Sequence, residues 1–233
     1  MVDVKLAHNS CVLCYRTTAT DALAELAGWL WHGSLRHVLS SGLAQHIHAH
    51  ASMLPAPAAL RALLESTHAR GEVFAGICNA TRVGCIIWQN QLAANALSPR
   101  MQVQLWLASA ALTRISPAVV IGSMPRAALA KPVFCAGADL QHSMQPHLGA
   151  AMCQVMNATT RCLAHGPAVS VAAWHGLAVG GGAELVCAPN VRLASSEAAL
   201  QFVQRRMGLS PGWGGGLRLA EVVGQQQALE LLL

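Results

Sequence analysis

A single carboxylate, Glu184, follows three consecutive glycines in "LAVGGGAEL", residues 177–185. An apolar run that stops at glycines and resumes as a helix leaves backbone N–H groups unpaired at the helix start, where the helix dipole also favours negative charge. That is an anion site in outline. The chain has no G-x-x-x-x-G-K-[ST], and no G-x-G-x-x-G sits between a strand and a helix, so a nucleotide phosphate fits poorly. The remaining anion exists only during reaction: the oxygen of an ester or thioester carbonyl as it becomes an enolate or a tetrahedral oxyanion. Such a hole needs two N–H donors, and "FCAGADL", residues 134–140, offers a second glycine-bearing turn after an apolar strand. Both glycine clusters would equally serve tight strand-to-helix turns with no ligand, so residue types alone leave the two readings open.

Those turns need strands and helices to aim them. "GEVFAGICNATRVGCIIWQN" reads as a β-hairpin, with apolar runs over 73–78 and 83–88 around a turn at Asn79 to Arg82. "SPRMQVQLWLASAALTRI" predicts a helix, with Ser98 as N-cap and Pro99 at the first helical position. "PAVVIG" and "KPVFCAG" read as short strands, "LGAAMCQVMNATTRCLAHG" as a helix, "AVSVAAWHG" as a strand, "GGGAELVCA" as a helix and "VRLAS" as a strand. Strands alternating with helices place the chain in the α/β class. Residues 1–54, rich in Ala, Leu and His, read as an amino-terminal extension, disordered or targeting; residues 55–233 read as the domain, beginning with a helix over "AALRALLESTHA".

Composition narrows the function classes. With 54% hydrophobic and only 11% charged residues, the elements must be mostly buried in a globular core. The formal charge of +5 comes from basic residues scattered along the chain apart from "QRR" at 204–206, which argues against a nucleic-acid partner. The longest apolar stretch, 168–183, is broken by His175 and glycines, so no membrane span is expected. Eight irregularly spaced cysteines suit reduced, buried thiols and a cytoplasmic setting, with a mitochondrial one as the alternative. "CVLC" at 11–14 and the alternating His46, His48 and His50 have metal-compatible spacing. The first lacks a second ligand pair and the second also fits a polar linker, so no metal is expected.

Three ordered motifs, "FCAGADL", "AWHGLAVGGGAEL" and "LQFVQRRMGLSPGWGGGLRL", with "NQLAANALSPRM" before them, resemble the crotonase (enoyl-CoA hydratase/isomerase) superfamily over residues 57–233. The resemblance implies a spiral of ββα repeats, an acyl-CoA substrate with no cofactor beyond the CoA the substrate carries, and a homotrimer or hexamer. It also implies that family chains continue through further helices, so the carboxy-terminal helical part reads as truncated. By position, the oxyanion donors would be the N–H groups of Ala138 and Gly181, and Glu184 a catalytic carboxylate. A Cβ on the glycine run would then disturb either the approach of the thioester carbonyl or the turn that aims the donor. Asn95, Ala96, Leu97, Ala136, Gly137 and Asp139 correspond to the CoA surface, Gly180 to the glycine run, and Trp213 to a wall of the acyl pocket or a core residue.

The chain departs from the hydratases of that superfamily at one position with chemical meaning. Their second glutamate, four residues before the glycine aligned with Gly208, is here Gln204. An amide neither takes nor gives a proton at neutral pH, whereas water addition needs a paired acid and base. Loss of CO2 from a malonyl-type thioester needs an oxyanion hole and one acid. The wording around "GGGAEL" and "PGWGG" resembles members that decarboxylate short branched malonyl-type thioesters such as ethylmalonyl-CoA or methylmalonyl-CoA. The expected activity is therefore that of a carboxy-lyase, with a hydratase or isomerase of the same fold, or a non-catalytic member, as the alternatives. Asn190, standing where an acidic residue is usual and preceded by Pro189, is expected to shift the strand after it.

Overall fold

The structure is a computed structural model that describes residues 2–7 and 10–15 by their backbone, Leu63, and residues 70–125 and 132–233. His46, His48, His50 and, apart from Leu63, the helix expected over "AALRALLESTHA" lie outside the described residues. Two strands fall in the segment read as an extension, β1 (Val2–Ala7) and β2 (Ser10–Tyr15), paired antiparallel. The expected hairpin is β3 (Glu72–Ile77) and β4 (Gly84–Gln89), with Ile77 opposite Gly84. Arg82 in its turn takes a positive φ of 62°.

Helix α1 (Pro99–Ile115) starts as its sequence predicts: Ser98 accepts a hydrogen bond from the Met101 N–H, and Pro99 occupies the position where no N–H is missed. Met101, Leu105, Ala108 and Leu112, spaced for one helical face, enter the main core. Val103 and Trp106 pack instead with Leu63 and with Met152 and Val155 of a later helix. Then follow β5 (Ala118–Ser123), β6 (Val133–Cys135), the short α2 (Leu140–Ser143), α3 (Pro146–His165), β7 (Val169–Trp174), β8 (Leu177–Val179), α4 (Gly181–Cys187), β9 (Val191–Ala194), β10 (Ala199–Gln201), α5 (Gly215–Val223) and α6 (Gln225–Leu232).

Seven strands form one sheet in the order β1-β2-β9-β7-β5-β4-β3, and three form a second in the order β10-β8-β6. Pairing is parallel from β2 through β9, β7 and β5 to β4, and throughout the second sheet. A parallel strand with both faces covered should be apolar without alternation, and β4, "GCIIWQ", is buried along nearly its whole length. From β5 onward the chain passes repeatedly between the sheets: β6, β8 and β10 belong to the small one, β7 and β9 to the large one. Trp88 of β4 meets Phe134 of β6 edge-on at 5.0 Å, and Phe134 meets His175 edge-on at 6.0 Å, which closes the core between them.

The sequence reading missed β8 and β10, three residues each, and with them the second sheet. Strands this short carry too few residues for alternation to register. Asn190 ties the strand after it to its neighbour: its side chain accepts from the Ser170 N–H at 2.8 Å, and Val191 pairs with Val171. Among the described residues no helix is long and apolar enough to cross a membrane.

Candidate active site

Strands β6 and β8 are parallel neighbours, so their carboxyl ends open at the same edge of the small sheet. That edge is where open parallel sheets take ligands. After β6 the chain turns through Ala136 and Gly137, and Ala138 bridges to Leu97. The Leu97 N–H donates to the Gly137 carbonyl at 2.8 Å and the Asp139 N–H donates to the Leu97 carbonyl at 3.0 Å. Both rungs use the neighbours of Ala138, so its own N–H points away from Leu97. After β8 the chain turns at Gly180, and Gly181 opens α4 with an N–H that has no acceptor inside the helix. Gly137, at φ +95°, lets the two turns touch: a Cβ there would lie 3.0 Å from the Gly181 nitrogen and 3.1 Å from the Val179 carbonyl oxygen. Two half-buried N–H groups outside the ladders thus come from adjacent turns, an arrangement able to receive one carbonyl oxygen.

Each of the three glycines answers a different neighbour. Gly180 sits at φ +55° and donates its N–H to the Gln201 carbonyl at 2.8 Å. A Cβ on Gly181 would lie 2.5 Å from Cη2 of Trp213, and one on Gly182 would overlap the Cys135 carbonyl. At Gly181 the space a Cβ would take is filled by an indole, a packing reason distinct from the two expected from sequence. Trp213 is buried in the main core, with its ring against Gly181, so of the two roles read from sequence the core role is the one observed.

Glu184, in the first turn of α4, is 2% exposed. Its Oε1 accepts from Gln204 Nε2 at 3.0 Å and from the Gly212 N–H at 3.2 Å; its Oε2 accepts from the Trp213 N–H at 2.7 Å and the Gly215 N–H at 2.9 Å. Three of the four donors belong to the backbone entering α5. A Cβ on Gly215 would overlap the Glu184 side chain, which explains a glycine at that step. Burial raises the carboxyl above its ordinary value, against the opposing pull of the Gly215, Trp213, Gln204 and Gly212 donors. Gln204 therefore stands beside Glu184 as its position predicts, and its amide is spent on the carboxylate.

The residues expected to meet CoA divide into two groups. Ala96, Ala136, Ala138 and Asp139 line a cleft of about 660 Å³, together with Arg70, Asn90 and Gln141. Asp139 there also caps α2 through the Gln141 N–H at 3.0 Å and pairs with His142 at 3.2 Å. Asn95 and Leu97 are buried instead. Asn95, 2% exposed and at φ +57°, accepts from the Asn90 N–H at 2.9 Å and donates to the carbonyls of Met124 at 3.1 Å and Val133 at 2.9 Å. Both of its N–H donors are spent on the backbone and the side chain is buried, so the structure has Asn95 holding the turn where the sequence suggested a surface for CoA. The N–H groups of Gly212 and Gly215 escaped the sequence reading. The glycines of "GWGGG" were their signal, since a backbone that must approach a side chain closely excludes Cβ.

Residues 79–233 match the family model described as enoyl-CoA hydratase/isomerase. The chain is 47% identical over 102 residues to the ethylmalonyl-CoA decarboxylase of Danio rerio, covering 42% of this chain and 34% of that one. It is 41% identical over 106 residues to the ethylmalonyl-CoA decarboxylase of Homo sapiens, covering 44% and 34%. The matched stretch thus spans about a third of the length of these curated relatives. Among solved structures, an enoyl-CoA hydratase from Bacillus anthracis superposes with a TM-score of 0.61 at 25% identity, covering 69% of this chain and 61% of that one. An enoyl-CoA hydratase of Thermobifida fusca YX, described as putative and in complex with CoA, gives 0.58 at 26%, covering 76% and 67%. The two-sheet α/β architecture is the crotonase fold, and the chain belongs to the enoyl-CoA hydratase/isomerase family.

Proposed function

We propose that the chain is an acyl-CoA decarboxylase acting on a short branched malonyl-type thioester such as ethylmalonyl-CoA. The observation that carries this reading is the contact between Gln204 and Glu184. Hydration across a double bond calls for an acid and a base around one water. Here the second position holds an amide whose Nε2 is bonded to Glu184 Oε1 at 3.0 Å, leaving one carboxyl group. The names of the curated relatives point the same way.

In this reading the thioester carbonyl oxygen accepts from the N–H groups of Ala138 and Gly181 while the CoA arm lies in the cleft beside Ala96, Ala136 and Asp139. The bond between the α-carbon and the carboxylate breaks, CO2 leaves, and the electron pair moves onto the thioester oxygen as an enolate held by the two donors. A proton then passes from Glu184 to the α-carbon and is later regained from water. Protonated Glu184 can carry its proton on Oε1, because Gln204 is the one donor of the four on a side chain that can swing aside. Burial raises the carboxyl, which favours its protonated form relative to an exposed glutamate.

Incubation with ethylmalonyl-CoA, methylmalonyl-CoA and crotonyl-CoA, followed by mass spectrometry, tests this. Ethylmalonyl-CoA should give butyryl-CoA and CO2 while crotonyl-CoA is hydrated poorly. Glu184→Gln should bind thioester and lose roughly a hundredfold or more in turnover, the size of a general-acid contribution. Efficient hydration of crotonyl-CoA with malonyl-type thioesters untouched would overturn the decarboxylase reading. Binding of every thioester without consumption would point to a non-catalytic member.

A further inference from the structure

Helix α3 carries Cys153, Asn157 and Thr160 at steps of four and three residues, on one helical face. All three meet the loop that holds Glu184. Asn157 Nδ2 donates to the Gly212 carbonyl at 2.5 Å, and Cys153 Sγ donates to the same oxygen at 3.0 Å. Thr160 Oγ1 lies 2.9 Å from the Trp213 carbonyl, which also accepts from Arg218 Nη1 at 2.8 Å.

A trans peptide points its C=O and its N–H in opposite directions, and no cis peptide occurs among the described residues. The peptide joining Gly212 to Trp213 therefore has its oxygen on α3 and its N–H on Glu184 Oε2, the shortest of the four bonds to the carboxylate. Hydrogen bonds in line polarise one another, so a donor on the oxygen strengthens the N–H on the far side. The same peptide leads into Trp213, whose ring covers Gly181.

We propose that Asn157 is a positioning residue for Glu184, acting through the Gly212–Trp213 peptide without touching substrate. The inference rests on the reading of Glu184 as the proton donor. Asn157→Leu keeps the branching of the side chain and removes the stronger of the two donors on the Gly212 carbonyl, leaving the weak Cys153 thiol, so the peptide can tilt and lengthen the bond from the Trp213 N–H to Oε2. With less stabilisation of its anion, Glu184 holds its proton to higher pH. The alkaline fall of kcat should then move to higher pH, kcat should drop roughly tenfold, the size of one lost hydrogen bond, and KM should hardly change.

A second readout needs no turnover. The infrared carboxyl band of Glu184, isolated by difference against Glu184→Gln, should titrate at higher pH in Asn157→Leu than in the unsubstituted protein. If Asn157→Leu fails to fold, Asn157→Ala, which removes the donor without adding apolar bulk, should move the same band in the same direction. A folded variant in which the carboxyl band is unmoved overturns the proposal. Absence of CO2 release by the unsubstituted protein would overturn the decarboxylase reading instead, while the carboxyl titration still decides the role of Asn157.

Discussion

Two buried groups show how a side chain's surroundings set its chemistry. Glu184 and His175 are each 2% exposed, yet their partners differ. Glu184 has four donors, whereas His175 has Nε2 3.0 Å from the Ser123 carbonyl and 3.2 Å from its hydroxyl, and an Nδ1 with no partner among the described residues. Burial pushes the His175 imidazole below the ordinary histidine value, partly offset by the Ser123 carbonyl. An unfolded chain takes up this proton near pH 6.5 and the fold resists it, so the contribution of neutral His175 is full above about that pH. It is lost as pH falls through the lower folded value. His175→Asn should therefore flatten the acid side of the stability profile, read as urea midpoints between about pH 7.5 and pH 5. Parallel profiles for the two proteins would show that His175 is not the group being titrated.

At the scale of elements, the site depends on how β6 is held against its neighbours. Asn95 ties the turn before α1 to the end of β5 and the start of β6 with two donated bonds, and its left-handed backbone suits Asn better than Ala. Asn95→Ala strands the Met124 and Val133 carbonyls and should cost roughly 2 kcal/mol or more in stability. Denaturant unfolding checks this, with KM for a CoA thioester measured alongside. A raised KM at unchanged stability would restore the ligand contact that the sequence suggested for this residue.

At the scale of the whole molecule, the last two helices present an apolar surface. Leu217, Leu229, Leu231 and Leu233 are each more than half exposed, while Leu219 and Ala228 fill a small core with Cys187. Four exposed leucines on two packed helices favour association. The protein should sediment as more than a monomer at micromolar concentration, and Leu229→Gln with Leu231→Gln should shift it toward the monomer. Monomeric sedimentation of the unsubstituted protein would show that these leucines are tolerated in water.

The amide at the second acid position was legible only through the family resemblance, whereas the glycine turns and the carboxylate after them were legible in the residues. They depend on residue type and spacing: only glycine tolerates positive φ cheaply and close backbone approach, and a buried carboxylate must find donors. The hairpin, α1 with its Ser98 cap and the long α3 were equally legible, because apolar periodicity and capping act within a few residues. The parallel adjacency of β6 and β8, which brings Gly137 against the Gly181 nitrogen, was decided by tertiary pairing. So were the burial of Asn95, the ring of Trp213 over Gly181, and the peptide between Gly212 and Trp213 that links α3 to Glu184. These contacts join residues distant in the chain, and no local pattern encodes them: β6 and β8 are three residues long and gain their place by pairing within the small sheet, where β8 lies between β6 and β10.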